Sequence, residues 1–162
     1  MYEKPGEYSP GFFVARIDGI RFGEASAPMS TTMDERVATA IKQKVWAVVG
    51  ASNDRSKFGN VIYRDLRGAG YTVYPVNPSV DEVEGDKAYP RLQDLPERPD
   101  VADIVVPASV GHKVAEDAAE AGIPVFWLQP GAESPELIAY AESLGLTVIH
   151  DACVMEARGS EH

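Results

Sequence analysis

The sequence predicts an α/β protein built on one doubly wound parallel sheet of about five strands, with helices on both faces. Short, apolar, β-branched runs alternate along the chain with segments whose apolar residues recur at helical spacing. The strand runs are almost unbroken in apolar residues, as burial on both faces of a sheet demands. Small-residue or proline-containing loops follow the runs, where the crevice of an open parallel sheet forms.

A helix from about Met33 to Lys44 is expected first, because Thr32 and Glu35 have capping-box spacing and Val37, Ala38 and Ile41 share a face. The opening strand starts at Val45 and ends at Gly50. Val61, Ile62, Leu66 and Ala69 continue a helix that begins near Gly59 and is stopped by Gly68 and Gly70. Tyr71 to Val76 reads as the second strand, closed by Asn77-Pro78. Ser79 to Asp100 is rich in Pro, Gly and charge, which predicts a connection with a helical turn near Leu92 to Leu95. Its acidic stretch, Asp81 to Glu84, reads as a solvated loop.

Val101 to Val106 is the third strand, and Pro107-Ala108-Ser109 starts a helix that reaches about Ala121 before Gly122 ends it. A fourth strand, Val125 to Leu128, leads into the Gln129-Pro130-Gly131 loop. Ser134 as N-cap and Pro135 at the first helical position open a last helix, to Leu144. Leu146 to Ile149 completes the sheet, and Met155 and Glu156 finish the packing at the C-terminal end. The alternation makes the fold Rossmann-like.

With 162 residues, 44% hydrophobic and 25% charged, the chain has material for one core. The domain is expected over residues 31–158, after an irregular leader, 1–30, and before a tail, 159–162. Pro5, Pro10 and Pro28 interrupt the leader, although Phe12 to Ile17 could supply an edge strand or a partner contact. A net charge of −10 and a pI near 4.7 argue against a nucleic-acid or membrane-surface partner. One cysteine, Cys153, rules out an intramolecular disulfide framework and a Cys-rich zinc site, and no metal site is expected. Without a signal peptide or an apolar run of about 18 residues, the cytoplasm is the expected compartment. An exposed sheet edge together with the leader leaves room for a homodimer.

The stretch Val45 to Asn60 carries the main functional signal. A strand ending at Gly50, a small polar loop and a helix start at Gly59 together present free backbone N–H groups and a positive helix end, which suit a phosphate. Arg55 and Lys57 add cations, and they read equally well as a solvated loop. Gly50-Ala51-Ser52, Val76-Asn77-Pro78, Val106-Pro107-Ala108 and the Leu128-to-Gly131 loop are expected to share one cleft, with Gln129 facing the crevice. The dinucleotide fingerprint is absent, because Ser52 and Arg55 stand two and five residues after Gly50. Asn77 also replaces the acidic residue that would hold ribose hydroxyls, and Lys57-Phe58-Gly59-Asn60 is no Walker loop.

Gly50-Ala51-Ser52, Val76-Asn77-Pro78, the Gly85-to-Tyr89 spacing, Leu95-Pro96-Glu97, Trp127-Leu128-Gln129 with Gly131, and Asp151 to Glu156 together resemble the small stand-alone CoA-binding proteins. Those proteins are similar to the N-terminal domain of the succinyl-CoA synthetase α subunit. The resemblance spans roughly Met33 to Arg158. It implies coenzyme A or an acyl-CoA as ligand, with the phosphates at Gly50, Ala51 and Ser52 and at the Arg55, Ser56, Lys57, Phe58, Gly59, Asn60 loop. It further implies Val76, Asn77 and Pro78 beside the nucleotide, Val106, Pro107 and Ala108 along the cofactor, and Gln129 and Gly131 toward the pantetheine arm. Ser56-Lys57-Phe58-Gly59 departs from the Pro and Ser-aromatic pair that relatives often carry there.

Cys153 reads as a small buried hydrophobe, and its family position leaves a mixed disulfide with the CoA thiol as a second reading. His112 reads as a surface or cap residue, and His150 stands beside Asp151 with no nucleophile in a known elbow context. No catalytic residue is assigned. The expected function is CoA binding without bond chemistry. Its rivals are a CoA-ligase or CoA-transferase component that needs a partner chain, and an NAD(P)-binding redox or sensor domain.

Overall fold

A computed structural model describes residues 32–159, and the leader, with its Phe12-to-Ile17 run, lies outside the described residues. Helix α1 spans Met33–Ala40 and is followed by β1, Val45–Val49, α2, Phe58–Gly68, and β2, Thr72–Val76. A two-stranded ribbon of β3, Glu82–Val83, and β4, Asp86–Lys87, precedes a 3-10 turn at Leu92–Asp94. Then come β5, Val101–Ile104, α3, Ala108–Glu120, β6, Val125–Leu128, α4, Pro135–Ser143, β7, Thr147–Ile149, and α5, Val154–Gly159.

The main sheet has five strands in the order β2-β1-β5-β6-β7, and every neighbouring pair is parallel. Successive side chains on a strand point to opposite faces, so each strand feeds two cores. Ala47, Val49, Ile104, Phe126 and Leu128 pack with Val114 and Ala118 of α3 and Leu137 and Ala141 of α4. Trp46, Val48, Val101, Trp127 and Ile149 pack on the other face with Ala40 of α1, Ile62, Tyr63 and Leu66 of α2, and Val154 of α5. This is the doubly wound arrangement that the uninterrupted apolar runs predict.

Most element limits fall within a residue or two of expectation. Ser134 caps α4 as its sequence suggests, its hydroxyl accepting from the Leu137 N–H at 3.1 Å. The first helix stops at Ala40 rather than near Lys44. There the chain turns into the sheet, and the Trp46 indole N–H and the Tyr71 hydroxyl take up the carbonyls of Gln43 and Ile41. The acidic stretch after Pro78 is solvated at Asp81 and Glu82 but is not a loop: it forms the ribbon, with Val83 buried in the core beside α2. The β2 border of the main sheet is paired, and one carbonyl of the β7 border is taken. Tyr89 pairs with the outer side of β2 through Tyr89 N to Pro75 O at 3.0 Å and Asn77 N to Tyr89 O at 2.9 Å. On β7, the Arg36 guanidinium donates to the Val148 carbonyl at 2.8 Å.

No helix among the described residues is long and apolar enough to cross a membrane. The end of α2 offers a simple check on these helix limits. A Cβ at Gly68 would meet nothing within 4 Å. Gly68→Ala should therefore stabilise the fold by about 0.5 kcal/mol, read by urea unfolding, because it removes freedom from the unfolded chain and crowds nothing.

Candidate functional site at the carboxyl ends of the strands

Strand order reverses direction between β1 and β5, and the crevice of such a sheet opens beyond their carboxyl ends. Gly50 stands at that point with φ +102°, a left-handed conformation that favours glycine. Its N–H donates to the Val76 carbonyl at 3.0 Å, which ties the turn to the end of β2. A Cβ there would lie 2.7 Å from Val105 Cγ2 and 3.0 Å from Val106 Cγ1. At Gly59 a Cβ would lie 2.2 Å from the Gly50 carbonyl oxygen. Gly50 thus lets the turn lie against Val105 and Val106, and Gly59 lets the start of α2 settle directly against the turn.

The residue before α2, Lys57, is extended, with φ −86° and ψ 145°, and its side chain makes no capping hydrogen bond. Without a side-chain cap, the Phe58 and Gly59 N–H groups stand at the positive end of the α2 dipole, while the Asn60 N–H already donates to the Lys57 carbonyl at 3.1 Å. Between turn and helix, the loop is braced internally. The Asp54 carboxylate accepts from the Ser56 N–H at 3.0 Å and hydroxyl at 2.6 Å, while the Asp54 N–H donates to the Ser52 hydroxyl oxygen at 3.0 Å. The Ser56 bonds hold Asp54 below the usual carboxylate range. Asn60 donates to the Ser52 carbonyl at 2.7 Å, and Arg64 donates to Asn60 at 2.7 Å.

Beside the turn lies a cavity of about 340 Å³. Val49, Gly50, Val76, Asn77, Pro78 and Val106 line it from the strand ends. Pro90, Arg91 and Leu92 form one wall, and Val110, Lys113, Val114 and Asp117 of α3 form the other. Its lining is largely apolar, with polar groups at few points. Asp117 is held there by Lys113 at 3.4 Å and by the Gln93 amide at 2.9 Å. Asn77 is a clasp, its amide donating to the Ala51 carbonyl at 2.8 Å and its oxygen accepting from the Ser79 N–H at 2.8 Å.

Five of the sequence-predicted residues, Gly50, Val76, Asn77, Pro78 and Val106, therefore meet in one cavity. Ala51 is fully buried beneath the turn, and Ser52 to Asn60 form the adjoining loop and helix start. Pro107 and Ala108 begin α3. The loop after β6 departs from expectation. Gln129 does not face the crevice: it is fully buried, its amide donating to Asp103 on β5 and its oxygen accepting from the Val154 N–H at 3.1 Å. A buried carboxyl and the first N–H of α5 both need a partner, and one amide serves both. Gly131 stays on the surface with its N–H on Glu133 at 2.8 Å.

Arg55 is also committed elsewhere, bonded to the ribbon's Glu84 through Nε at 3.1 Å and Nη2 at 2.7 Å. Cys153 is a half-buried free thiol just before α5 and is not among the cavity's lining residues. His112 stacks on Tyr140 with ring centroids 5.3 Å apart, and His150 pairs with Asp151 at 2.6 Å. Among the described residues, no group of three His, Cys, Asp or Glu could hold a metal ion.

Sequence reasoning missed the walls of the cavity. Residues 90–92 reach it only through the pairing of Tyr89 with β2, a tertiary event. Val110 and Val114 carried a readable signal, an i, i+4 apolar pair on the first turns of a helix that follows a crevice loop.

The family described as CoA binding domain matches residues 44–158. The chain belongs to this CoA-binding domain family. Among relatives of the domain, it is 33% identical over 116 residues to the uncharacterized protein YneT of Bacillus subtilis, covering 72% of this chain and 86% of that one. It is 35% identical over 121 residues to acetate–CoA ligase [ADP-forming] I of Archaeoglobus fulgidus, covering 68% of this chain and only 18% of the ligase. A solved hypothetical protein from Pyrococcus horikoshii OT3 shares the CoA-binding domain's architecture at a TM-score of 0.75 and 31% identity, over 86% of this chain and 98% of that one.

Proposed function

We propose that the protein binds coenzyme A or an acyl-CoA and that the isolated chain performs no bond chemistry. The observation that carries this reading is the apposition of the Gly50 turn, the uncapped start of α2 and an apolar cavity at the strand-order switch. Backbone donors of Ala51 and Ser52 and of the start of α2 receive the pyrophosphate, with Ser56 and Lys57 beside them; the Gly50 N–H is already spent on the Val76 carbonyl. The cavity, within the usual range of roughly 300–1,000 Å³ for ligand sites, takes the nucleotide end against Val76, Asn77 and Pro78. Val106, Pro107 and Ala108 run along the cofactor toward Gly131. Gln129 is withdrawn from the contact set, since its amide is spent inside the fold.

Both hydrogen-bonding ends of the Asn77 amide are engaged and it carries no charge, which argues against a ribose-binding dinucleotide site. A ligase component remains the second reading, favoured by the identity to the Archaeoglobus ligase and needing a partner for the rest of that protein's length. Calorimetry with CoA, dephospho-CoA and NAD in parallel tests the first reading. CoA should bind, and tight NAD binding with none for CoA would sink it. Gly50→Val fills the space at the turn and should lower CoA affinity at least tenfold, on the order of 1.4 kcal/mol, in the same titration.

A further inference from the structure

Opposite the loop, the ribbon places a carboxylate against the Arg55 and Asn60 side chains. Glu84 and Gly85, with φ +52° and +83°, form the two-residue turn between β3 and β4. Both central residues of that turn are left-handed, a geometry that suits Asn, Asp or Gly far better than Glu. The strained position is used by its side chain. The Glu84 carboxylate accepts two bonds from Arg55 and one from Asn60 Nδ2 at 2.8 Å, and Asn60 lies in the first turn of α2. Asn53 stitches the same two segments, donating to the Glu82 carbonyl at 2.8 Å and accepting from the Glu84 N–H at 2.9 Å.

Exposure differs sharply across the ion pair, with 9% for the Glu84 side chain and 68% for Arg55. The carboxylate is fixed, while the guanidinium reaches it from solvent and can turn away. Within the loop Arg55 and Lys57 oppose Asp54, and Glu84 faces them from the ribbon with Arg64 also close to its carboxylate.

The geometry points to Glu84 as the affinity-setting residue of the phosphate loop, an internal anion that holds Arg55 until a ligand phosphate takes its place. This rests on the CoA reading. A ligand must supply enough negative charge to draw Arg55 off the carboxylate, so Glu84 lowers the affinity of every phosphate-bearing ligand that recruits Arg55. Glu84→Gln keeps the length of the side chain and one acceptor oxygen while removing the charge, at the loss of one of the two oxygens that receive Arg55 and Asn60.

Calorimetry with CoA and dephospho-CoA at low and high salt tests the assignment. Glu84→Gln should tighten CoA binding about fivefold at low salt, with the gain shrinking as salt screens the charges. The gain should be at least as large for CoA as for dephospho-CoA, because the removed carboxylate repels the more anionic ligand more strongly. In an Arg55→Gln background the gain should vanish, since the cation being released is gone. Unchanged or weaker CoA binding by Glu84→Gln overturns the proposal, as does a gain that survives without Arg55. Binding of CoA by the parent protein in those cases leaves the CoA reading standing, whereas no binding by parent and variant overturns both.

Discussion

Gly59→Ala should cost the protein about 2 kcal/mol of stability and at least tenfold in CoA affinity, although alanine is the better helix former. The added Cβ would sit 2.2 Å from the Gly50 carbonyl oxygen. That atom belongs to the backbone, so no rotamer change relieves the contact. Overpacking of this kind costs about 1–3 kcal/mol, against a gain of at most about 1 kcal/mol from helix propensity. The clash wins, and it moves either the turn or the start of α2, the two elements proposed to share the phosphate. Urea unfolding and calorimetry on one preparation check both effects. Gly68→Ala, in the same helix with open space around it, is the matched control. If both substitutions behave alike, the close approach of α2 to the turn is not what glycine provides here.

Asp103→Asn should change the pH dependence of stability more than any surface substitution. Asp103 lies on β5 between Val48 and Trp127 with no exposure, and its Oδ2 is buried without a hydrogen-bond partner. Burial pushes its carboxyl up from 3.8 to about 7, opposed only by the bond donated by Gln129. Below about pH 4 the folded and unfolded states both hold the proton. Between pH 4 and 7 the unfolded chain loses it while the folded chain keeps it, so stability falls as pH rises, and above pH 7 the loss is complete.

Roughly three pH units at 1.36 kcal/mol each give a loss on the order of 4 kcal/mol. Glu84, lowered to about 2 chiefly by Arg55 and then Asn60, works in the opposite sense: its contribution is full above about 4.5 and is lost as pH falls through 2. The two windows barely overlap. Stability of the parent relative to Asp103→Asn should therefore decline between pH 4 and 7. Parallel curves across that range would show that Asp103 ionises normally in the folded protein.

The parallel sheet was legible because its strands are buried on both faces, so burial wrote itself into uninterrupted apolar runs such as Val45 to Val49 and Val125 to Leu128. Local chemistry was equally readable where it acts within a few residues, as at Ser134 and Pro135. The ribbon was not, because two-residue strands are too short to display a period, and only the burial of Val83 against α2 makes them strands. Helix α5, six residues long, falls below the same threshold. At the site, the turn and strand ends followed from topology. The fates of Gln129 and Arg55 did not, since each is decided by a carboxylate more than 25 residues away in sequence, 26 for Asp103 and 29 for Glu84.

The way the sheet is bordered bears on how copies of this chain can meet. An unpaired outer strand is a template on which another molecule can extend the ladder. Here the β2 side already carries Tyr89, and the three-residue β7 has its Val148 carbonyl occupied by Arg36. Among the described residues, neither margin offers a long bare ladder. Continuation of the ladder from one molecule to the next is met, among the described residues, by Tyr89 beside β2, and at β7 by a strand of three residues with one carbonyl already taken.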